Sequence, residues 1–206
     1  MSLFISFEGG DGSGKTTQAR LLCQRLAAEG HKVLAVHEPG STPLATAVRH
    51  VLADMSGTAI PPHAELLLFG AARADLVARV ITPALKAGKI VVADRFADST
   101  VAYQHFGRGL PIEEVAAVNR VAMQGIAPDL TFLLDCAPEL ALKRAGEAGG
   151  GRFEKEPLDF HLRVWQGYRK MAQHSPSRWY VVDAALSIEE MQRQVWGVAS
   201  WNRMAL

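Results

Sequence analysis

Short apolar segments alternate along this chain with longer segments in which apolar residues recur at helical spacing. Five segments are short, continuous and apolar enough to form buried strands: residues 3–7, 33–36, 90–93, 130–134 and 179–182. Strands that alternate with helices favour a parallel sheet with helices on both faces. The pattern therefore predicts a doubly wound α/β fold built on a five-stranded parallel sheet.

Length and charge narrow the class of protein. The chain has 206 residues, which suits one α/β domain over residues 1–206. Its net charge of +1 gives no basic field for a polymeric nucleic acid, so a small anionic ligand is favoured. The sequence has neither a leader pattern nor a membrane span, and we expect a cytoplasmic protein without a membrane partner. Cys23 and Cys136 lack metal-site spacing and are expected to be reduced core residues.

A glycine-rich octapeptide directly follows the first predicted strand. It consists of Gly9, Gly10, Asp11, Gly12, Ser13, Gly14, Lys15 and Thr16, and matches the phosphate-binding P-loop. Its glycines are expected to take positive φ angles, so that backbone N–H groups point at a polyphosphate. We expect Lys15 to reach the β- and γ-phosphates of ATP and Thr16 to ligate Mg²⁺. Thr17 opens the following helix, whose N-terminal dipole also favours an anion.

A P-loop protein needs a second acidic residue at the end of another strand to hold the metal ion. Asp94 and Asp135 both fit, and neither is followed by the glutamate of a motor or remodelling ATPase. The Asp-x-x-Gly at residues 54–57 follows a helical pattern rather than a strand, which argues against a GTPase switch. Arg95 follows Asp94, at the sheet edge where a guanidinium can grip a phosphate.

Two predicted helices carry polar and aromatic side chains in stripes. The first starts at residues 61 and 62 and aligns Glu65, Phe69 and Arg73 at i, i+4 spacing. Asp98 is the predicted N-cap of the second helix, which aligns two pairs of side chains, Ser99 with Tyr103 and Thr100 with Gln104. A later helix has an apolar stripe that is interpreted as core: Phe160, Val164, Tyr168 and Met171.

The segment around 146–156 is rich in glycine and is bracketed by Arg144 and Arg152. Composition alone leaves two readings open, a plain interhelical linker or a mobile lid. A loop that closes over phosphates needs flexibility and fixed positive charge, and the two arginines favour the lid.

Several motifs together resemble the bacterial thymidylate kinase family. They are Phe7-Glu8-Gly9 with the P-loop, Glu38-Pro39-Gly40, Phe69-Gly70-Ala71-Ala72-Arg73, Asp94-Arg95-Phe96, Ser99-Thr100 with Ala102-Tyr103-Gln104, Gly107-Arg108-Gly109 and Pro128-Asp129-Leu130. The resemblance covers nearly the whole chain. It implies a P-loop kinase fold, phosphoryl transfer from ATP to dTMP with Mg²⁺ held at Thr16 and Asp94, and a homodimer. It also puts Glu38 in the dTMP site.

The resemblance implies roles at the acceptor base and sugar. Phe69 is expected to stack on thymine and Arg73 to bond the edge of the base. Thr100 and Gln104 complete base recognition. Tyr103 is expected to crowd the 2′ carbon of the sugar.

The resemblance also implies how phosphates are held. Asp11 corresponds to the carboxylate aimed at the 3′-hydroxyl of dTMP, Arg95 to the clamp on its phosphate, and Arg49 to a residue flanking that phosphate. Family members with a carboxylate in the P-loop supply positive charge from the lid, a role that falls to Arg152 and Arg144, with Arg144 on ATP. The expected catalytic residues are Lys15, Arg95 and Arg152.

The chain departs from the family pattern at two places. His37 stands where an arginine is usual, and His105 and Phe106 stand where two glycines are usual. Without a paired nucleophile, the two histidines are interpreted as surface or packing residues. Two rival functions stay open: a kinase of another nucleotide or small phosphorylated metabolite, and a regulatory P-loop module that turns ATP over slowly.

Overall fold

The computed structural model describes residues 2–54, 60–147 and 151–204. Its strands are β1 (Leu3–Glu8), β2 (Val33–His37), β3 (Ile90–Asp94), β4 (Leu130–Asp135) and β5 (Trp179–Asp183). All five predicted strands are confirmed, and each one runs one residue further than its apolar segment. That extra residue is charged or polar in every strand, because pairing continues where the strand reaches the edge of the core.

The five strands of the described chain form one parallel sheet in the order β2-β3-β1-β4-β5. β1 lies at the centre, and its Phe7 is in register with Asp94 of β3 and Phe132 of β4. Because the strands are parallel, all of their carboxyl ends meet at one edge of the sheet. Ligands of such sheets bind outside that edge.

The helices cover both faces of the sheet, as predicted. Their bounds are α1 (Lys15–Ala28), α2 (Pro43–Asp54), α3 (Pro62–Leu76), α4 (Thr82–Lys86), α5 (Ala97–Thr100), α6 (Ile112–Met123), α7 (Pro138–Glu147), α8 (Leu158–His174) and α9 (Ile188–Met204). Ile5 and Phe7 of β1 pack in one core with α1 and α9, whereas Phe4 packs on the opposite face with the end of α3. This alternation is the period of a strand that is buried on both sides.

The helix predicted to start at Asp98 differs in two respects. α5 is a short α-helical segment, and residues Val101–Gly107 continue it as a π-helix, a wider turn that is frequent at functional sites. Asp98 is not the N-cap. It lies inside α5, and its carboxylate accepts two hydrogen bonds from Arg178 at 2.7 and 3.0 Å, because a guanidinium fork binds a carboxylate more strongly than a backbone N–H does.

Several local features complete the part of the fold that the structure describes. Ser187 and Glu190 form a capping box, with the Glu190 N–H donating to the Ser187 Oγ at 3.2 Å. Both cysteines are free thiols, with Cys136 buried and Cys23 partly buried. Within the described ranges, no helix has the length and apolar character needed to cross a membrane.

Candidate functional site

The P-loop runs from the end of β1 to the start of α1. Gly9, Gly12 and Gly14 have φ angles of 138°, 79° and 93°, whereas Gly10 lies outside the left-handed region, so the expectation of a positive φ was wrong there. A Cβ at Gly12 would lie 2.0 Å from the carbonyl oxygen of Ala141. Glycine is therefore required at this position both by backbone conformation and by the close approach of α7.

Lys15 is the first residue of α1, and only 6% of its surface is exposed. Its Nζ donates to the carbonyl oxygen of Gly10 at 2.6 Å. Burial lowers the pKa of Lys15 to about 8, and the nearby Arg95 acts in the same direction. The nearby carboxylates Asp11, Asp94 and Glu8 oppose this shift, and a bound phosphate would likewise favour the charged ammonium.

The structure distinguishes the two aspartates that could accompany the P-loop. The hydroxyl of Thr16 donates to Oδ2 of Asp94 at 2.5 Å. Asp135 instead accepts a hydrogen bond from Nε1 of Trp165 at 2.6 Å. Asp94 is thus the strand-end carboxylate that lies beside the P-loop hydroxyl.

Arg95 bridges the P-loop and the neighbouring helices. Its backbone has a φ of 72°. Its N–H donates to the carbonyl oxygen of Phe7 at 3.0 Å, where the pairing of β1 with β3 ends. The guanidinium donates to Oδ1 of Asp11 at 2.6 Å and to the carbonyl oxygen of Gly9 at 3.0 Å. Burial would raise the pKa of Asp11, but Arg95 and Lys15 outweigh it and hold that pKa well below its usual range.

A second layer of side chains holds this arginine, and sequence reasoning missed most of it. Glu8 accepts from the Phe96 N–H at 2.8 Å and from the Ser99 hydroxyl at 2.6 Å. Tyr168, which was interpreted as a core residue, places its hydroxyl 2.8 Å from Ser99 Oγ and 3.2 Å from Arg95. Burial raises the pKa of Glu8 to about 8, with the charge of Asp98 adding to it. In the sequence, the signal for the role of Glu8 was a glutamate at the end of an apolar strand.

A cavity of about 250 Å³ opens next to Arg95. All nine residues expected at the acceptor line it: Asp11, Glu38, Arg49, Phe69, Arg73, Arg95, Thr100, Tyr103 and Gln104. They come from the P-loop, the segments that follow β2 and β3, helices α2, α3 and α5, and the π-helix. The structure therefore brings together around one cavity residues that are far apart in the sequence.

Arg73 anchors the wall of this cavity. Its guanidinium is 1% exposed and donates to Glu38 at 2.9 Å, to Asn119 Oδ1 at 2.8 Å and to the Thr100 hydroxyl at 2.8 Å. Burial raises the pKa of Glu38 even though Arg73 opposes the shift. The second carboxylate oxygen of Glu38, Oε1, is buried and has no hydrogen-bond partner in the described chain. A ligand with a polar hydrogen could satisfy it.

Three aromatic rings, those of Phe69, Tyr103 and Phe153, form part of the cavity lining. Phe69 and Phe153 are stacked with their centroids 6.3 Å apart, and Tyr103 meets Phe153 edge to face at 5.0 Å. The Tyr103 hydroxyl donates to Oδ2 of Asp11 at 2.9 Å. Phe153 was missed, because its position in a glycine-rich segment gave no periodic pattern to read.

The two arginines that bracket the glycine-rich segment lie in different places. Arg152 lines the cavity, and its NH2 donates to Glu65 Oε2 at 2.7 Å. Arg144 donates to the carbonyl oxygen of Ala184, after β5, at 2.8 Å. Residues 148–150 of the expected lid lie outside the described residues. The proposed contacts of both arginines with ATP phosphates stay predictions.

The strand order, the P-loop after the central strand and the Asp-Arg pair at the end of its neighbour define a P-loop kinase. Comparison with known proteins agrees: a model of the thymidylate kinase family matches residues 7–195. The chain belongs to the thymidylate kinase family.

Individual relatives support this assignment over nearly the full length. The thymidylate kinase of Geotalea uraniireducens is 45% identical to the chain, and the alignment covers 95% of each sequence. The thymidylate kinase of Geotalea daltonii is 47% identical, and that alignment covers 92% of each sequence. The crystal structure of thymidylate kinase from Ehrlichia chaffeensis matches with a TM-score of 0.79 at 33% identity. That match covers 96% of this chain and 98% of the other.

Proposed function

We propose that this chain transfers the γ-phosphoryl group of ATP to dTMP, giving dTDP and ADP. The observation that carries the proposal is the cavity beside the P-loop, in which Arg95 and Asp11 lie between the phosphate-binding glycines and an aromatic, base-sized pocket. Donor and acceptor phosphates would meet at this junction. Membership of the thymidylate kinase family supports the choice of acceptor.

On the donor side, the P-loop residues 9–17 bind the ATP phosphates. The positive φ angles of Gly12 and Gly14 turn backbone N–H groups toward the anion, and the N-terminus of α1 adds a favourable dipole. Lys15 exchanges its bond to the Gly10 carbonyl for phosphate oxygens. This exchange replaces a neutral carbonyl partner of the buried ammonium with an anionic one.

The oxygens of Thr16 and Asp94 fit a magnesium ion. A hydroxyl and a carboxylate are hard donors, and Mg²⁺ is typically bound by one or two protein ligands with substrate phosphates and water completing the set. Bound there, Mg²⁺ would neutralise charge on the β- and γ-phosphates. In the structure the Thr16 hydroxyl donates a hydrogen bond to Asp94, and a bound cation would replace this hydrogen bond.

On the acceptor side, thymine stacks on Phe69, and the anchored guanidinium of Arg73 bonds its edge with Thr100 and Gln104. Because Arg73 is already fixed by four partners, it loses little conformational freedom on binding. Glu38 contributes through its buried contact with Arg73 and its unpartnered oxygen. Tyr103 limits the space at the 2′ carbon.

The acceptor phosphate is held by Arg95, flanked by Arg49, whose side chain also lines the cavity. Asp11 accepts a hydrogen bond from the 3′-hydroxyl of the sugar. The attacking phosphate oxygen is already ionised near neutral pH, so no general base is needed. Alignment of two bound reactants supplies roughly 7–11 kcal/mol of barrier reduction, and charge neutralisation supplies more.

The lid around 146–156 completes the site in this proposal. Arg152, and with it Arg144, would stabilise charge on the transferring phosphoryl group after closure. Arg152 has one guanidinium nitrogen, NH1, that is buried and without a hydrogen-bond partner in the described chain. An incoming oxygen could satisfy this nitrogen without a break in the contact to Glu65.

A homodimer is part of the same proposal. Leu67 of α3 and Val121 of α6 are 60% and 73% exposed, and these two helices pack against each other. Large exposed apolar side chains on neighbouring helices are typical of interfaces. Light scattering should report twice the 22.3 kDa of one chain, and a monomer at micromolar concentration would contradict this part.

A dTMP-dependence assay tests the function. The purified chain is mixed with ATP and Mg²⁺, and ADP release is followed with a panel of nucleoside monophosphates. We expect release that depends on dTMP and is absent in Lys15→Met. Preference for another monophosphate would point to a different nucleotide kinase, and release that ignores every acceptor would point to a regulatory ATP-binding module.

A further inference from the structure

Glu65 is a buried acid that the mechanism above does not use. It lies on α3 one turn before Phe69, and its side chain is completely buried. The sequence pattern places it on the ridge with Phe69 and Arg73 but gives it no task. A carboxylate buried beside a ligand cavity is costly unless it is paired, so its partners indicate what it does.

Four hydrogen bonds converge on the Glu65 carboxylate. Oε1 accepts from Nε2 of Gln104 at 2.8 Å and from Nε of Arg108 at 3.2 Å. Oε2 accepts from Arg108 at 3.2 Å and from Arg152 at 2.7 Å. Glu156 pairs with Arg108 at 2.7 Å, so two glutamates balance two arginines in this cluster. The charge of Glu65 is thus fully compensated.

The bond to Gln104 fixes the direction of the Gln104 amide. An ionised carboxylate only accepts hydrogen bonds, so the group that faces it must be the NH2 of the amide and not its oxygen. Gln104 is 1% exposed and lines the cavity. With Nε2 held by Glu65, the carbonyl oxygen is the polar atom that Gln104 has left for a ligand.

We propose that Glu65 is a positioning residue that sets base specificity by holding the carbonyl oxygen of Gln104 toward the acceptor base. The inference rests on the proposed function, in which Gln104 faces that base. Thymine carries an N–H donor at N3, which a fixed carbonyl oxygen complements. Cytosine carries a lone pair at N3, which the same oxygen repels, and an amide free to flip would accommodate either base.

The ratio of kcat/KM for dTMP to kcat/KM for dCMP is the readout that separates this role from a structural one. Glu65 also contacts Arg152, so its loss disturbs the lid segment as well. Any effect on lid closure or on ATP applies to both acceptors and cancels in the ratio. Only a change in how the base is read moves it.

Glu65→Gln is the test variant, because a neutral amide of the same shape can donate to Gln104 as well as accept from it. We expect the dTMP to dCMP ratio to fall by about tenfold or more, with a larger change in KM than in kcat for dTMP. Glu156→Gln is the matched control, since it removes the other carboxylate on Arg108 without touching Gln104. Its ratio should stay within about twofold of the unmodified chain.

The double variant Glu65→Gln/Gln104→Glu completes the experiment. It restores a carboxylate that can only accept, now on the residue next to the base, and should recover the ratio. Thermal unfolding is measured for every variant, and if Glu65→Gln does not fold, the double variant decides. A folded Glu65→Gln with an unchanged ratio, or a folded double variant with a lost ratio, overturns the proposal. Failure of the unmodified chain to phosphorylate dTMP would instead refute the proposed function.

Discussion

Replacing Arg95 by alanine and, in parallel, by glycine separates the two tasks that this residue performs. Both variants lose the guanidinium, and with it the contacts to Asp11 and Gly9 and the proposed clamp on the dTMP phosphate. They differ in the backbone. At a φ of 72°, alanine is strained and glycine is not.

The structure sets the expected size of each effect. Loss of a charge-assisted hydrogen bond to phosphate costs about 1.5–3 kcal/mol, which corresponds to roughly 10–150-fold in kcat/KM for dTMP in both variants. The left-handed backbone should make the alanine variant about 1 kcal/mol less stable than the glycine variant. For a chain of this length, that difference is about 2–4 °C in Tm.

Steady-state kinetics with varied dTMP, ATP binding by fluorescence and thermal unfolding provide the measurements. Arg95→Ala and Arg95→Gly should have matching kinetic defects and ATP affinity close to that of the unmodified chain. Weakened ATP binding with a normal KM for dTMP would contradict the assignment of Arg95 to the acceptor. Equal Tm values would show that the backbone strain of alanine here does not exceed the entropy that glycine gains in the unfolded chain.

Three further variants and one pH series test other parts of the site. Lys15→Met should abolish phosphoryl transfer without lowering Tm, and full activity in the folded variant would refute the P-loop assignment. In the unmodified chain, ATP affinity should weaken as pH rises through about 8, where Lys15 loses its proton, and Lys15→Met should lack this pH dependence. Tyr103→Phe should still prefer dTMP over ribothymidine monophosphate because the ring remains, although Asp11 loses a hydrogen-bond donor. Equal kcat/KM for both nucleotides in the unmodified chain would refute the steric role of Tyr103. Arg152→Ala should lower kcat by about 10²–10³-fold with modest changes in KM. An unchanged kcat would show that the segment around 146–156 is a plain linker.

The fold could be predicted largely because its signals are local. The continuous apolar segments and the spacing between them define the strands, and the P-loop stands between the first strand and its helix. Strand order could not be read from these signals, since pairing of β1 with β3 and β4 depends on contacts between distant segments. The π-helix at Val101–Gly107 was also invisible, because a single widened turn leaves the i, i+4 pattern nearly unchanged.

The site was predictable where a residue type is tied to a motif and less so where it acts through a neighbour. Tyr168 sits on an apolar helical stripe, and only the tertiary structure brings its hydroxyl to Ser99. In the sequence Glu65 is likewise one polar position on a helix, and its role follows only from the four hydrogen bonds that it accepts in the structure. The departures from the family pattern are local: His37 is exposed beside Ser41, and Phe106 packs over Gly167, where a Cβ would lie 2.4 Å from its ring. The bulk of Phe106 is thus met by a glycine on α8.

The pairing of β1 with β3 makes the phosphate-binding parts of this protein inseparable. The Arg95 N–H binds the Phe7 carbonyl, two residues before the P-loop begins, so the backbone that shapes the donor site also fixes the origin of the acceptor clamp. A change in strand register would shift both at once. The residues around the base, by contrast, are carried by α3, α5 and the π-helix, outside the sheet. Acceptor preference can therefore diverge in evolution through helix substitutions alone, while the chemistry of phosphoryl transfer stays under the constraint of one hydrogen-bonded strand pair.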